Sequence, residues 1–330
     1  MKLAAGLRAL RRIGARAYVS ADDLVQNGVL RGEDGWLFLW DGSNHVHRYY
    51  SRPDHFTDAD ATDWAGLLRD RNERLRCMGI AYRHLTVPDK LSVYPEHVPV
   101  RLAHYDRHPA RLVGRLADPA VNIDILPDLR AEAPTALGRL VGTRDAAASD
   151  RYFFRTDSHW TFAGCQIAYW RMCNSLGVAP RDLSDRRSGS IELALDLGSK
   201  LDPPVTERAH FTQILRDARR VRENAMVRYN ETEGFARGTP AFVGCYVQHR
   251  NDHPHAIPQT LLLFGDSFSE FRPSLLTAML AETFRDVHFV WSTSMDMDLL
   301  REIAPDVVIT EIAERFMNRL PKDDFRVSVE

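Results

Sequence analysis

The chain lacks several features that would place it in a simple class of protein. Its 330 residues carry a formal net charge of -2, and the basic residues are scattered rather than gathered in the stripe that nucleic-acid binding requires. No apolar run approaches the roughly 20 residues that a transmembrane helix needs. There is no internal repeat and no low-complexity stretch. We therefore expect no nucleic-acid partner and no membrane span, and function must be inferred from motifs.

Cysteine is scarce, and its spacing gives no metal or redox motif. The four cysteines form no Cys-x-x-Cys pair, and none lies at zinc-ligand spacing from histidines. We interpret them as buried free thiols, with an oxidised pair in an exported protein as the alternative. His249, His253 and His255 lie close together, but the surrounding Asp and Pro residues are typical of a loop. We predict no metal ion and no cofactor.

A basic segment, residues 1–29, opens the chain without the uninterrupted apolar core of a secretion signal, because Arg8, Arg11 and Arg12 break it. We therefore expect a cytoplasmic protein with reduced cysteines; a periplasmic or membrane-associated location is the alternative. If residues 1–16 form a helix, its leucines share one face with arginines around it, and such a face can lie on an anionic membrane surface. A plain surface helix or a frayed terminus is the simpler interpretation.

What the sequence does contain is typical of a globular α/β protein. Apolar residues make up 44% of the chain and charged residues 27%, which is ample for a large core. The length suits one large α/β domain with an insertion, or two domains. Strands alternate with helices, which predicts a parallel sheet covered on both faces. The predicted strands are 80–87, 121–126, 260–264, 287–291 and 307–312, and the predicted helices are 58–78, 107–117, the stretch between Trp160 and Gly177, 273–284 and 298–303.

Residues 182–258 interrupt this alternation with short β-like pieces between charged stretches. We interpret them as an irregular, β-containing insertion within one domain that spans residues 30–330.

The strongest chemical signal is an apolar strand, Leu261 to Phe264, that ends in Gly265-Asp266-Ser267. Ligands of open parallel sheets bind beyond the carboxyl ends of the strands, so we expect Ser267 at that edge. Backbone N–H groups just after the strand can point at a developing oxyanion. The tripeptide also makes ordinary turns and does not identify a nucleophile by itself. Ser269 is an alternative nucleophile that we interpret as a helix cap.

A second motif supplies the base that a serine hydroxyl needs before it can act as a nucleophile. Asp157-Ser158-His159 follows an apparent strand and precedes a helix. Residues two apart in an extended segment project to the same side, so the Asp157 carboxylate can hold the His159 imidazole and fix its tautomer. Taken alone, a helix cap beside a structural histidine explains this motif more simply. Both motifs together predict a triad of Ser267, His159 and Asp157.

The segment from Phe154 to Thr161, followed by Gly164, resembles the Asp-x-His-Trp-Thr motif of the alginate O-acetyltransferases. In that family the Asp and His precede the serine along the chain, which reverses the order of ordinary SGNH esterases, and this sequence has the family's order. The resemblance extends from about Gly32 to Pro321. Its further segments are Asp34–Phe38, Val87–Lys90, Tyr94–Glu96, Leu195–Gly198 and Glu314–Phe316.

This resemblance implies an SGNH-hydrolase-like three-layer α/β/α domain with a central parallel sheet, and a serine-dependent acyltransferase. Ser267 would take an acetyl group from a donor, with His159 as the base, and a sugar hydroxyl would then attack the acetyl-enzyme. The expected partners are a carbohydrate or polysaccharide acceptor and an acetyl donor, either a small molecule or a partner protein. The alternatives are a carbohydrate esterase, in which water replaces the sugar, and a non-catalytic glycan-binding or scaffold protein of the same fold.

Four further residues are candidates for substrate contact. Lys90 and Tyr94 follow the end of an early strand and can line the same crevice, although a solvated lysine and a packed tyrosine are the simpler interpretation. Trp160 adjoins the base, where it either offers a flat surface to a sugar or is buried in the core. Arg272 follows the nucleophile segment, where it either binds an acidic group or remains an exposed charge.

Overall fold

The computed structural model of the chain describes residues 19–42, 44–131 and 151–330, so the predicted membrane-surface face of residues 1–16 lies outside the described residues. Within these ranges the strands are β1 Val25–Gln26, β2 Val29–Arg31, β3 Leu37–Leu39, β4 Ala81–Val87, β5 Asn122–Asp124, β6 Ser188–Leu193, β7 Glu207–Thr212, β8 Ala218–Glu223, β9 Tyr246–Asn251, β10 Ile257–Gly265, β11 Phe284–Trp291 and β12 Val307–Ala313. The α-helices are α1 Arg48–Ser51, α2 Asp58–Cys77, α3 Lys90–Val93, α4 Pro109–Leu116, α5 Leu126–Arg130, α6 Phe162–Ser175, α7 Ala225–Tyr229, α8 Phe235–Arg237, α9 Leu276–Ala281 and α10 Met297–Ile303.

A seven-stranded sheet forms the centre of the molecule, in the order β5-β4-β12-β10-β11-β9-β8. The strands from β5 to β11 pair in parallel, whereas β9 and β8 add to the edge in antiparallel fashion. Helices flank this sheet, and the predicted α/β class is confirmed. The sheet is mixed rather than wholly parallel because its last two strands come from residues 182–258.

The middle of the sheet explains why the apolar run before the Gly-Asp-Ser turn has no polar alternation. Leu263 of β10 lies opposite Phe289 of β11 on one side and Ile309 of β12 on the other. Leu261 to Phe264 are fully buried. A strand between two parallel neighbours, with helices over both faces, has no face toward water.

Helix termini follow the capping residues in the sequence. Thr57 and Asp60 form a capping box at the start of α2, in which Thr57 Oγ1 accepts from the Asp60 amide and the Asp60 carboxylate accepts from the Thr57 amide. Thr161 caps α6 by accepting from the amide of Gly164 at 3.3 Å. Because α6 starts at this cap, its position fixes the end of the loop that carries His159.

One predicted helix is shorter than expected. The pattern over 273–284 indicated a single helix, but α9 covers only Leu276–Ala281, and β11 already begins at Phe284. The turn between them is fixed by Glu282, whose carboxylate accepts the backbone N–H groups of residues 216–218. The helical spacing of apolar residues does not show where the helix ends, because Phe284 can be buried equally well in a strand.

Residues 182–258 contain two kinds of structure. β6 and β7 form an antiparallel hairpin outside the main sheet, whereas β8 and β9 join its edge. A small separate core of Val29, Leu37, Leu197 and Leu201 connects residues near β6 and β7 to the N-terminal sheet β1-β2-β3. The limits of the insertion stay a prediction.

In the described ranges no helix is both long and apolar enough to cross a bilayer. The four cysteines are free thiols: Cys165, Cys173 and Cys245 are buried, while Cys77, at the end of α2, is exposed.

Candidate active site

Ser267 lies in the turn that follows β10, at the carboxyl edge of the central sheet. Asp266 holds this turn: its Oδ1 accepts from the amide of Phe268 at 3.0 Å, and its Oδ2 accepts from the amide of Ala313, the last residue of β12, at 2.7 Å. A side chain at Gly265 would come within 2.8 Å of Glu311, so the close approach of strand and turn requires glycine.

His159 reaches Ser267 from a loop outside the sheet, residues 152–161. The Thr161 amide donates to the carbonyl of Tyr152 at 2.9 Å, and an isolated β-bridge joins Phe153 to Trp160. The strand expected before Asp157 is therefore wrong, because this segment pairs with its own return rather than with the sheet. We call residues 152–161 the base loop.

The structure brings the three predicted side chains into one hydrogen-bonded row. His159 Nε2 lies 2.9 Å from Ser267 Oγ, and His159 Nδ1 lies 2.7 Å from Asp157 Oδ1. The same carboxylate oxygen accepts the backbone N–H of His159 at 2.8 Å. With Nδ1–H donating to Asp157, Nε2 is the acceptor that faces the serine hydroxyl. This is the tautomer that a general base for Ser267 needs.

The electrostatics of the row are set by burial and by two opposing charges. Burial by itself would lower the pKa of His159, but the hydrogen bond and charge of Asp157 outweigh burial and the opposing charge of Arg315, so this pKa is raised. Burial would raise the pKa of Asp157, yet its hydrogen bond to His159 holds that pKa well below its ordinary value. Asp157 is therefore an anion throughout the range in which His159 titrates.

Asp157, His159 and Asp196 also form the one potential metal-binding cluster in the described part of the chain, with ligand atoms within 4.8 Å of one another. The 2.7 Å separation of His159 Nδ1 from Asp157 Oδ1 is a hydrogen-bond distance. Two ligands of a tetrahedral zinc ion, with bonds of about 2.0–2.2 Å, would lie roughly 3.3 Å apart or more. The observed arrangement fits a shared proton rather than a zinc ion.

Lys90, predicted to line the substrate crevice, is buried and supports the base loop instead. Its Nζ donates to the carbonyl oxygens of Phe154 and Arg155 at 3.0 Å each and of Asp157 at 2.5 Å. Burial lowers the pKa of Lys90 to about 8, against the opposing charges of nearby carboxylates. All three ammonium hydrogens are used inside the protein, which corrects the predicted contact with substrate.

Asp196 and Glu207, which motif analysis did not select as site residues, hold the same loop from the other side. Asp196 accepts from the amide and the hydroxyl of Ser158, at 2.7 and 2.5 Å. Glu207 accepts from the amide and the hydroxyl of Thr156, at 2.8 and 3.0 Å. Asp196 lies in one of the family-like segments, which was the available signal; nothing in the sequence pattern marked Glu207.

Two of the remaining substrate candidates have structural roles. Trp160 is only 1% exposed and packs edge-on against Phe268, so its ring is part of the core and is not offered to a sugar. The Tyr94 hydroxyl accepts from the amide of Tyr152 at 2.9 Å, and its ring lies 4.3 Å from that of Trp36. Tyr94 thus packs as its simpler interpretation predicted, and Trp160, for which a sugar surface and core burial were both open, is buried in the core.

Arg272 is the one substrate candidate that remains open to solvent. Its side chain is 58% exposed and pairs with Glu270, a buried carboxylate. Contact with substrate stays a prediction for this residue.

Ser269 is fully buried, and its Oγ donates to Glu311 Oε2 at 2.7 Å. The expected helix cap is wrong, since α9 begins only at Leu276. Burial, followed by the charge of Asp266, raises the pKa of Glu311 well above its ordinary value. The hydroxyl of Ser269 is thus turned into the sheet, whereas that of Ser267 faces the base.

The three clustered histidines are separated by the fold. His249 lies within β9, where burial lowers its pKa to about 4, and the ring centres of His253 and His255 lie 5.0 Å apart, with the rings tilted at 39°, in the following turn.

Arg315 is a site residue that motif analysis did not select, although it lies in the family-like segment Glu314–Phe316. Its Nη2 is 3.4 Å from Ser267 Oγ and 3.4 Å from His159 Nε2. Asp89, from another such segment, lies behind it, with Oδ1 at 3.5 Å from Arg315 Nη1.

Comparison with known proteins gives a matching family model and a shared fold. Residues 29–187 match the family model for the SGNH hydrolase-like domain of acetyltransferase AlgX. The probable alginate O-acetylase AlgJ of Pseudomonas aeruginosa is 27% identical over 170 residues, which cover 49% of this chain and 38% of that protein. The match therefore spans about two fifths of the length of that curated relative.

Two solved structures share the fold over most of the chain. PatB1 of Bacillus cereus has a TM-score of 0.58 at 12% identity, covering 88% of this chain and 96% of that chain. The O-acetyltransferase domain of Pseudomonas putida AlgJ has a TM-score of 0.52 at 18% identity, covering 91% of this chain and 96% of that chain. At these identities the likeness shows a shared fold.

Proposed function

We propose that the chain, which matches the family model for the SGNH hydrolase-like domain of acetyltransferase AlgX over residues 29–187, transfers an acetyl group to a carbohydrate hydroxyl by way of an acetyl-enzyme on Ser267. The supporting observation is the row in which Ser267 Oγ, His159 Nε2, His159 Nδ1 and Asp157 Oδ1 follow one another at 2.9 and 2.7 Å. Such a row activates a hydroxyl that is otherwise a weak nucleophile.

In the first half-reaction, Ser267 Oγ attacks the carbonyl carbon of an acetyl ester while its proton passes to His159 Nε2. The tetrahedral intermediate then expels the donor's oxygen, which takes the proton from Nε2. Asp157 stays ionised and stabilises the imidazolium that forms between these two transfers.

In the second half-reaction, a sugar hydroxyl takes the place of the departed donor. His159 removes its proton as the oxygen attacks the acetyl carbon, and returns that proton to Ser267 Oγ when the ester bond to the enzyme breaks. We propose a polysaccharide acceptor because the curated relatives are named alginate O-acetylases.

The same residues would hydrolyse the acetyl-enzyme if water reached it first. The His159 side chain is 27% exposed, so the row is open to an incoming acceptor and the resting site leaves the esterase alternative standing. The outcome depends on acceptor binding and on the exclusion of water. A glycan-binding protein without catalysis has less support, since binding alone does not need a base hydrogen-bonded to a serine.

The test is intact-mass measurement after rapid mixing with para-nitrophenyl acetate. We expect a gain of one acetyl group, mapped to the peptide that contains Ser267, and no gain in Ser267→Ala. Alginate oligosaccharides added to the acetyl-enzyme should shift the product from free acetate to acetylated sugar. An unmodified wild-type protein, or equal labelling of Ser267→Ala, would contradict the proposal, and acetate as the only product with every sugar tried would assign an esterase.

A further inference from the structure

Arg315 lies at the same sheet edge as the nucleophile. It follows directly after Glu314 at the end of β12, which pairs in parallel with β10, the strand that leads to Ser267. Parallel neighbours bring their carboxyl ends to one edge of a sheet. The guanidinium therefore reaches the reacting atoms from the strand beside the nucleophile, not from a mobile surface position.

The backbone beside Arg315 is fixed by a buried carboxylate. Glu314 accepts the hydroxyl of Ser92 at 2.7 Å and the amides of Asp89 and Ala110 at 2.8 and 3.0 Å, and it pairs with His108 at 2.5 Å. All these partners belong to the segments after β4. Hydrogen bonds to Glu314 thus hold the end of β12, next to Arg315, against the segments that follow β4.

The guanidinium itself is held between aromatic rings and a carboxylate. Its carbon lies 5.0 Å from the ring centre of Phe268 and 5.4 Å from that of Phe316. Asp89 Oδ1 lies 3.5 Å from Nη1, and the Arg315 side chain is only 6% exposed. This leaves the Nη2 end directed at Ser267 and His159.

The contacts of Nη2 in the resting site are long. Both partners, Ser267 Oγ and His159 Nε2, lie at 3.4 Å, whereas good N–H···O hydrogen bonds measure about 2.7–3.2 Å. Arginine does not lose its proton in proteins, so it cannot serve as a base here. A fixed donor that is weakly engaged at rest is arranged to bind more strongly once negative charge develops beside it.

We propose that Arg315 is a catalytic residue that donates a hydrogen bond from Nη2 to the oxyanion of the tetrahedral intermediates. This inference rests on the proposed function. As the bond from Ser267 Oγ to the carbonyl carbon forms, the π electron pair moves to the carbonyl oxygen, and the proton of Oγ goes to His159 Nε2. The new anion is bonded to the same carbon as Oγ, within reach of Nη2.

Two other roles for Arg315 would leave different signatures. An arginine that binds an acidic group of the acceptor would be expected to reach toward solvent, but this guanidinium is buried and lies against the reacting atoms. An arginine that only braces Asp89 would affect folding and not the transition state. Kinetics separate the three roles, because oxyanion stabilisation changes kcat without changing the binding of ground-state substrate.

The test compares Arg315→Met and Arg315→Lys with Arg319→Met, an exposed arginine four residues further along the chain. In acetylation of the full chain by para-nitrophenyl acetate, Arg315→Met should lower kcat about 10²–10³-fold with KM little changed, the usual effect of losing one oxyanion donor. Arg315→Lys, which keeps the charge, should recover part of the rate. Arg319→Met should match the wild type.

A second readout does not depend on turnover. A phenylboronic acid that forms a tetrahedral adduct on Ser267 should bind the Arg315→Met variant weakly and the Arg319→Met variant normally. The pH–rate profile of Arg315→Met should also shift upward, because the positive charge that opposes protonation of His159 is gone.

Each failure has its own pattern. If the wild type acetylates Ser267 and folded Arg315→Met is within threefold of it, or if only KM changes, the oxyanion role is wrong. If the wild type shows no acetylation, the proposed function fails, and unchanged boronate affinity in Arg315→Met would then overturn the inference as well. If Arg315→Met does not fold, the double variant that combines Asp89→Asn with Arg315→Lys takes its place. Full activity and full boronate affinity in that double variant would overturn the oxyanion role of Arg315.

Discussion

Ser267 and His159, the proposed nucleophile and base, are positioned by two different kinds of structure. Ser267 lies in a turn whose neighbours are strands of the central sheet: Asp266 bonds to the end of β12, and Ser269 bonds to Glu311 within β12. Every partner is buried and belongs to the parallel part of the sheet. The geometry of the nucleophile therefore follows from the same pairing that makes the fold.

The base loop does not pair with the strands of the central sheet. It is held by Lys90 from α3, by Asp196 and Glu207 from the region before and within β7, and by the amide of Leu37 in β3, which donates to the carbonyl of Arg155 at 2.9 Å. These partners come from separate stretches of the chain. Side chains and single backbone hydrogen bonds, not pairing with the central sheet, determine where His159 lies.

The difference indicates how the two halves of the site should respond to mutation. A change in the nucleophile turn acts on the sheet, so it should be seen first as lost stability. A change in the base loop or its supports leaves the central strands paired, so lost activity should accompany any loss of stability. With Ser267 and Arg315 set aside because they touch the reacting atoms, effects on the rate should therefore be larger at the base loop than among the buried side chains of the nucleophile turn.

The largest such effect is expected for Asp157→Asn. The amide keeps the loop's shape but can present its NH₂ group to His159, which favours the wrong tautomer, and it removes the charge that stabilises the imidazolium. We expect single-turnover acetylation to fall about 10⁴-fold with circular dichroism unchanged. Combining it with His159→Ala should add little, because the two residues act as a unit. Retention of more than a tenth of the wild-type rate would show that Asp157 does not orient the base.

Lys90→Met tests the support of the base loop. The variant leaves three carbonyl oxygens without the ammonium group, so we expect a loss of roughly 3 kcal/mol in the free energy of unfolding. In protein that remains folded, a small displacement of His159 should lower acetylation about 10²-fold. The matched control is Lys322→Met, an exposed lysine that should change neither quantity. A folded Lys90→Met with the wild-type rate would show that the loop does not need this support.

The same contrast explains which parts of the site could be predicted from the sequence. The strand before Ser267 is a continuous apolar run that ends in Gly-Asp-Ser, a local pattern that determines both its burial and its edge position. Lys90 also follows a strand, and the same reasoning placed it in the crevice. Its burial depends on the rings of Trp36, just before β3, and of Phe38, within β3, whose centres lie 5.6 and 5.5 Å from Nζ. No local pattern reports such a contact.

Arg315, Asp196 and Glu207 were missed as site residues for a related reason. Each acts on a residue far from it in the chain, and a charged residue after a strand or in a loop is ordinarily solvated. Resemblance to a family marked the segments of Arg315 and Asp196 without giving their roles. The mixed sheet was missed because the direction of β8 and β9 is set by the path of the chain through residues 182–258, not by their composition.

The pH dependence of acetylation tests whether His159 acts as the base. His159 must be neutral to act, and its pKa is raised, so the rate should fall with decreasing pH through a midpoint above about 6.5. The contribution of protonated His159 to the free energy of unfolding depends on pH in the opposite direction to the rate. It is present below that pH range and is lost as pH rises through the raised pKa. In Asp196→Asn, which keeps an acceptor for Ser158, the midpoint should move down by less than about one pH unit. A wild-type midpoint well below 6.5 would contradict the proposed pairing with Asp157.

The smallest effect is expected for Ser269→Ala, two residues from the nucleophile. Its hydroxyl makes a buried hydrogen bond to Glu311, so we expect a loss of about 1 kcal/mol in the free energy of unfolding, measured by denaturant titration. Because the Asp266 amide still donates to Glu311 Oε2 at 3.0 Å and holds the turn, acetylation should stay within about threefold of the wild type. Glu311→Gln is the matched variant, since it keeps an acceptor for the Asp266 amide and should be similarly mild. A folded Ser269→Ala that no longer forms the acetyl-enzyme, beside an active Ser267→Ala, would move the nucleophile to Ser269 and reverse the assignment of the turn.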